Sequence, residues 1–230
     1  MNVTNTKKEA RIVRGVCYQR IPIKTPVVFA GDSLTELMET YVKPHVQKDD
    51  IVFLSEKMVA CSQGRAVPLD EIEPSWLALL LSRFVTKSKH GIGLSMPETM
   101  EMALRECGRL RILWAAVCGA VGKFLHKKGW FYLVAGYRAQ SIDGPCPNTI
   151  APYNRYVVLG PEAPDKVART LSQTLCAAPV LVVDINDLGG NILGKSHSWL
   201  DETMLLEILK DNPLGQDSQS TPVGIIRKRR

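Results

Sequence analysis

The sequence predicts an α+β fold, with short strands and helices interleaved irregularly instead of in a repeating βαβ order. Three observations carry this. The run Pro179-Val-Leu-Val-Val-Asp184 is apolar, β-branched and short, as a buried strand should be. Other segments place apolar residues at helical spacing behind a capping residue, as after Ser33-Leu-Thr-Glu36 and Ser198-Trp-Leu-Asp201. No internal repeat or low-complexity linker interrupts them.

Taken in order, Arg11 to Ile23 alternates loosely and is rich in Val and Ile, which predicts a strand closed by Ile21-Pro-Ile-Lys24. Leu34, Leu37, Met38, Tyr41 and Val42 form one apolar helical face. Asp49 to Leu54 is a short strand, and Ser55 to Arg65 a helix stopped by Gly64. Pro74-Ser75 opens a helix with Leu77, Leu80, Leu81 and Phe84 on its face. Lys87 to Leu94 reads as a loop, and Pro97 occupies the tolerated first turn of a further helix. Ile112 to Val121 and Trp130 to Ala135 are expected to be strands, joined by the basic loop Lys123 to Gly129. Ser141 to Thr149 is a rigid turn, because proline and glycine restrict it. Tyr156 to Leu159 is a strand, and Pro164 begins a helix with Val167, Leu171 and Leu175 inward. After the Asp184 strand, a helix carries Leu200, Met204, Leu205, Ile208 and Leu209 inward. Asp211 to Gln216 is a turn, and Val223 to Ile226 a final strand.

The chain of 230 residues, 45% hydrophobic, suits one domain over 1–230, with a small lobe around 66–128. No apolar run approaches the ~20 residues of a membrane helix, so no membrane partner is expected. The polar start Met1-Asn-Val-Thr-Asn-Thr lacks a secretion signal, and six scattered cysteines without a C-x-x-C suit a reducing cytoplasm. His45, His90, His126 and His197 lie far apart, which argues against zinc. Of the net charge of +6, Arg227-Lys-Arg-Arg230 supplies four, leaving +2 for the rest. The tail 227–230 is read as a solvated end, and no nucleic-acid partner is expected.

Chemistry concentrates in two turns. Asp184-Ile-Asn-Asp187 follows a strand, where carboxylates of α/β proteins meet ligands. The same turn suits an Asx-capped loop. Asp143 opens the second turn, and Gln216 adds an amide after Gly215. Carboxylate and amide oxygens suit a hard cation, Mn2+ or Mg2+, and such cations commonly accompany nucleotide phosphates. Lys57 and Arg65 flank one helix and offer positive charge. Each has a plainer role open to it: Lys57 as a solvated charge, Asp143 as a turn former, Gln216 as a backbone partner. The chain has no Walker loop and no G-x-G-x-x-G, and no Ser-His-Asp or Cys-His order is readable.

Several segments together resemble the coenzyme F-420-0:gamma-glutamyl ligase family. Ile21-Pro22-Ile23 and Gly31-Asp-Ser-Leu-Thr-Glu-Leu37 look like its L-P-x-I and G-D-D-L-A-E-L. Asp50 to Lys57 and Gln63-Gly-Arg65 look like its G-D-I-L-V-V-A-Q-K and E-G-R, and Glu73-Pro-Ser75 matches its P-S helix start. Ser141 to Asn148 sits where the family has N-A-G-V-D-x-S-N, and Tyr156 to Ala168 looks like its L-L-L-P…D-P-D-x-S-A. Asp184-Ile-Asn186 looks like T-D-T-x-G-R, and Leu214-Gly215-Gln216 with Pro222 to Arg227 looks like M-G-Q/E and P-V-V-L-V-R-G. The order holds over nearly the whole chain.

The resemblance implies the family's own α+β fold as an intertwined homodimer. It also implies GTP-dependent amide formation, in which a substrate carboxylate is phosphorylated and the amine of an amino acid, L-glutamate in the family, displaces phosphate. Carried over by position, Asp143, Asp184 and Gln216 would hold divalent metal, with Asp187 available beside them. Ile21, Pro22, Ile23, Glu56, Lys57, Asn148, Leu214 and Gly215 would face the nucleotide. The departures are specific. Ile185 replaces the threonine after the metal aspartate, Cys61 replaces a lysine, and Leu188-Gly-Gly-Asn-Ile192 replaces a segment holding two arginines. Asp143 fits only with a shift of about two positions, since strict alignment puts Pro145 there. These changes leave a second implication open, a non-catalytic homologue that binds a nucleotide or metabolite.

Overall fold

Strands that are apolar along their whole length must be covered on both faces, and the central sheet of this chain meets that requirement. The computed structural model describes residues 10–85, 93–127, 129–147, 149–186, 189–215 and 220–229. The strands are β1 (Ala10–Val13), β2 (Val16–Ile23), β3 (Ile51–Ser55), β4 (Ala66–Pro68), β5 (Tyr156–Val158), β6 (Val180–Asn186), β7 (Gly189–Lys195) and β8 (Val223–Lys228). The α-helices are α1 (Leu34–Leu37), α2 (Glu56–Ser62), α3 (Trp76–Ser82), α4 (Pro97–Cys107), α5 (Arg109–Phe124), α6 (Trp130–Ala135), α7 (Tyr137–Gln140), α8 (Pro164–Thr174) and α9 (Glu202–Leu209). Two compact units result: Met1–Gly64 with Pro161–Arg230, and Arg65–Gly160.

The first unit is built on a six-stranded mixed sheet of order β1-β2-β8-β3-β6-β7. Only β3 and β6 run parallel; every other neighbouring pair is antiparallel. Alternation along each strand sorts side chains to opposite faces. Val52, Leu54, Val180 and Val182 join Met58 and Val59 of α2, Leu171 of α8 and Leu175 just past its end in one core. Phe53, Leu181 and Val183 join Leu205, Ile208 and Leu209 of α9 in another. Phe53 lies across the strand from Gly224, where a Cβ would run into its ring.

The expected strand over Arg11 to Ile23 is a hairpin. Arg14 and Gly15 both take positive φ, as a two-residue turn between twisted strands needs. The final strand runs two residues past Ile226. Arg227 pairs with Gln19, Lys228 with Tyr18, and the Arg229 N–H donates to the Cys17 carbonyl at 2.8 Å. The expected solvated tail at 227–230 is therefore strand as far as Lys228, because β2 offers it an open edge. Arg230 lies outside the described residues.

In the second unit, β4 and β5 form a two-stranded sheet extended by a main-chain bridge between Asp143 and Val158. Its core gathers Ala78, Leu94, Met100, Ile112, Ala115 and Val157 among others. The expected strands at Ile112–Val121 and Trp130–Ala135 are helices, α5 and α6. Small residues decide this. A Cβ on Gly119 would lie 3.0 Å from the Phe131 Cβ, and one on Gly122 2.9 Å from the Trp130 Cγ. The two helices thus close on each other, and with apolar residues around most of α5 no 3.6-residue contrast marks it in the sequence. On α3 the inward face is Leu77, Ala78 and Leu81, whereas Leu80 and Phe84, expected on that face, are exposed. The expected loop at Lys87 to Leu94 falls largely outside the described residues; Leu94 itself is buried in the 3-10 turn Gly93–Ser95.

Candidate functional site

Register alone brings distant segments to one edge of the six-stranded sheet. Ser55 ends β3 and pairs with Val183, so Asp184 stands one residue beyond the parallel pair. The Ser55 hydroxyl accepts the Met58 N–H at 3.3 Å and caps α2, which sets Glu56 and Lys57 in its first turn. The Ser55 N–H donates to the Pro222 carbonyl at 2.8 Å, which brings the approach to β8 alongside. Val223 pairs with both Leu54 and Ile23, so Ile21-Pro22-Ile23 reaches the same edge. The Thr221 hydroxyl donates to the Leu214 carbonyl at 2.6 Å, and Asn212 Nδ2 donates to the Gly215 carbonyl at 3.1 Å. The first bond ties the Leu214–Gly215 turn to the residues entering β8, and the second closes the turn on itself. Gly215 has φ +81, a conformation that glycine adopts at little cost.

This is the carboxyl end of the two parallel strands, the place where open sheets receive ligands. Asp184 is half-buried there, Glu56 is buried and Lys57 is exposed. Ile23 and Leu214 bury their side chains in the two cores, so any contact they make with a ligand is through the main chain. Pro22 is exposed. Ile185 packs against the α9 core, and a Cβ on Gly190 would lie 2.5 Å from its Cγ2. At position 185, where the resemblance implies a hydroxyl, the chain places a packing residue. Cys61 is likewise buried.

The other expected residues lie in the second unit or outside the described residues. Asp143 belongs to the second unit, where its N–H donates to the Val158 carbonyl at 2.8 Å and its carbonyl accepts from the Val158 N–H at 2.9 Å. Arg65 is occupied in the second unit: Nε donates to the Gly160 carbonyl at 2.5 Å and Nη2 to Glu106 Oε1 at 2.6 Å. Asn148, Asp187 and Gln216 lie outside the described residues. Among the described residues no group of three His, Cys, Asp or Glu is placed to hold a metal. The donors assigned to metal are all oxygens, which suits Mn2+ or Mg2+ over a softer ion. Asn212, Thr221 and Pro222 were not among the expected site residues. Proline beside Asn212 and Thr221 marked turns, but only the fold shows what those turns hold.

The model of the F420-0:Gamma-glutamyl ligase family matches residues 22–192 of the 230. The chain belongs to this family. No curated protein matches it. The family match begins at Pro22 in β2 and ends at Ile192 in β7, so it takes in Glu56, Lys57 and Asp184. It stops short of Leu214 and Gly215, whose place at the ligase-family edge rests on the hydrogen bonds and register given above. Among the described residues, no helix is long and apolar enough to cross a membrane.

Proposed function

We propose that the chain is a ligase that uses GTP and a divalent metal to join an amino acid, L-glutamate in the first instance, to a small-molecule carboxylate, working as a homodimer in the cytoplasm. One observation supports this most: the segments with family likeness, Ile21–Ile23, Glu56–Lys57, Asp184 and Leu214–Gly215, meet at the carboxyl edge of β3 and β6. A cation held by Asp184, with Asp143, Asp187 and Gln216 as further oxygen donors, would neutralise phosphate charge. Lys57 opens α2 and would face the phosphates as a point charge. The main chain of Ile21–Ile23, Leu214 and Gly215 would hold the nucleotide, together with Asn148. In the reaction, the γ-phosphoryl group passes to the carboxylate and GDP leaves. The amine then forms the C–N bond, and inorganic phosphate leaves.

A second reading, a nucleotide- or metabolite-binding homologue without catalysis, is favoured by Ile185, which fills core space and brings no hydroxyl to the edge. A thermal-shift series with GTP, GDP and ATP, each with and without Mn2+, tests the proposal, since a bound ligand raises stability by mass action. A metal-dependent rise with GTP is expected, and the lack of any nucleotide shift would reject both nucleotide readings. Incubation with GTP, glutamate and a panel of acids, read by mass spectrometry, separates the two: product carrying an added glutamyl group supports the ligase, and binding without turnover supports the homologue.

A further inference from the structure

The second unit carries a helix whose apolar side points away from its own core. On α5, Ile112, Ala115 and Gly122 are buried, and Gly119 and Gly122 receive α6. Leu110, Leu113, Trp114, Val117, Val121 and Phe124 are exposed, Leu110 by 84% and Phe124 by 82%. On a 3.6-residue helix these six fall within an arc of roughly 100°. An exposed stripe of this size is far beyond the scattered apolar residues of an ordinary surface.

Charge narrows what could cover it. Over Arg109 to Phe124 there is no acidic residue, and Arg109, Arg111, Lys123 and Lys127 stand exposed beside the stripe or just past its end. The stretch Arg65–Gly160 holds twelve Lys and Arg against seven Asp and Glu, which is +5 of the chain's +6. Along α5 itself, a second copy would find no acidic residue to pair with these charges. The stripe lies along one helix and is exposed over four turns, which an extended flat surface can cover at once. Tryptophan and phenylalanine on one side, with lysine and arginine at its borders, are what an interfacial helix presents to an anionic lipid surface.

We propose that α5 docks the chain on anionic membrane surfaces, lying in the headgroup region without spanning it. The inference does not depend on the ligase reading. Co-sedimentation of the full chain with vesicles of equal parts phosphatidylcholine and phosphatidylglycerol, beside pure phosphatidylcholine, tests it. Binding to the anionic vesicles is expected to exceed the neutral case by more than about tenfold and to fall as salt rises. The double variant Trp114→Ser/Phe124→Ser should lose that binding while keeping the wild-type circular dichroism and melting temperature, because both side chains are exposed. Arg109→Glu/Lys123→Glu should lose the preference for anionic lipid. No binding to anionic vesicles at low salt would overturn the proposal. So would a wild-type dimer, seen by light scattering, that Trp114→Ser/Phe124→Ser splits while vesicles have no effect, since the ridge would then serve a second copy.

Discussion

The two ends of the six-stranded sheet are built on opposite plans. At the end where β3 begins, charges are matched within the fold. Arg227 grips Asp50 with two bonds, Nε to Oδ1 at 2.9 Å and Nη2 to Oδ2 at 2.7 Å, and Asp50 is 1% exposed. Arg20, also 1% exposed, holds both carboxylate oxygens of Asp211 and donates to the Ile208 carbonyl at 3.0 Å. At the end where β3 and β6 finish, Asp184 is half-buried and Lys57 is exposed. One end spends its charges on holding strands together, whereas the other keeps a carboxylate and an ammonium within reach of solvent. The contrast teaches that charge alone does not mark a site in this chain; the buried ionic groups Asp50 and Arg20 serve to join strands and turns.

Breaking the closed end should have the largest effect on stability. Asp211→Ala leaves the buried Arg20 guanidinium without its carboxylate and should cost about 3–5 kcal/mol, read from urea unfolding. A loss below about 1 kcal/mol would mean that this end is no more closed than the other. Gly224→Val comes next. Its side chain would collide with Phe53, which is fully buried, and a loss of about 1–3 kcal/mol is expected in the same measurement.

The acid limb of stability separates the ends further. Burial works to raise the Asp211 carboxyl, but the hydrogen bond and charge of Arg20 outweigh it and hold its pKa below the usual value. A depressed folded pKa gives stability that is present above the unfolded value, near pH ~4, and is lost as pH falls through the folded one. Melting temperatures across acidic pH should therefore drop less steeply in Asp211→Asn than in wild type.

At the other end the expected changes are functional. Asp184→Asn should remove the Mn2+-dependent shift with GTP; an unchanged shift would take Asp184 out of the site. The smallest effect is expected from Thr221→Val, which frees the Leu214 carbonyl from its hydroxyl partner. Loss of one such bond, about 1 kcal/mol, should weaken nucleotide affinity by roughly fivefold in a titration.

Legibility in the sequence followed the chemistry of each segment. Helices α2, α3 and α9 begin behind Ser55, Ser75 and Asp201, each accepting an N–H from the first turn, and a capping side chain is a local signal. Strands β3 and β6 were readable because both faces are buried and the run is continuously apolar. Helices α5 and α6 were not, since their apolar residues serve both a core and an exposed ridge, which erases the periodic contrast. Strand β7 is masked by Gly189, Gly190 and Gly194. The last of these is glycine because a Cβ there would meet the Asp165 backbone nitrogen at 2.6 Å, a contact between segments far apart in sequence.

By itself the sequence determined the fold class, the capped helices, the buried strands and the family likeness, all of which rest on neighbours within a few residues or on motifs in order. Tertiary structure decided which of those motifs meet. The parallel register of β3 with β6 puts Asp184 level with the start of α2, and the antiparallel return of β8 delivers Leu214 and Gly215 to that edge. The same folding left Asp143 and Arg65 in the other unit with backbone and Glu106 as partners. Spacing along a chain cannot fix such meetings, because strand pairing sets them through hydrogen bonds between residues more than a hundred positions apart.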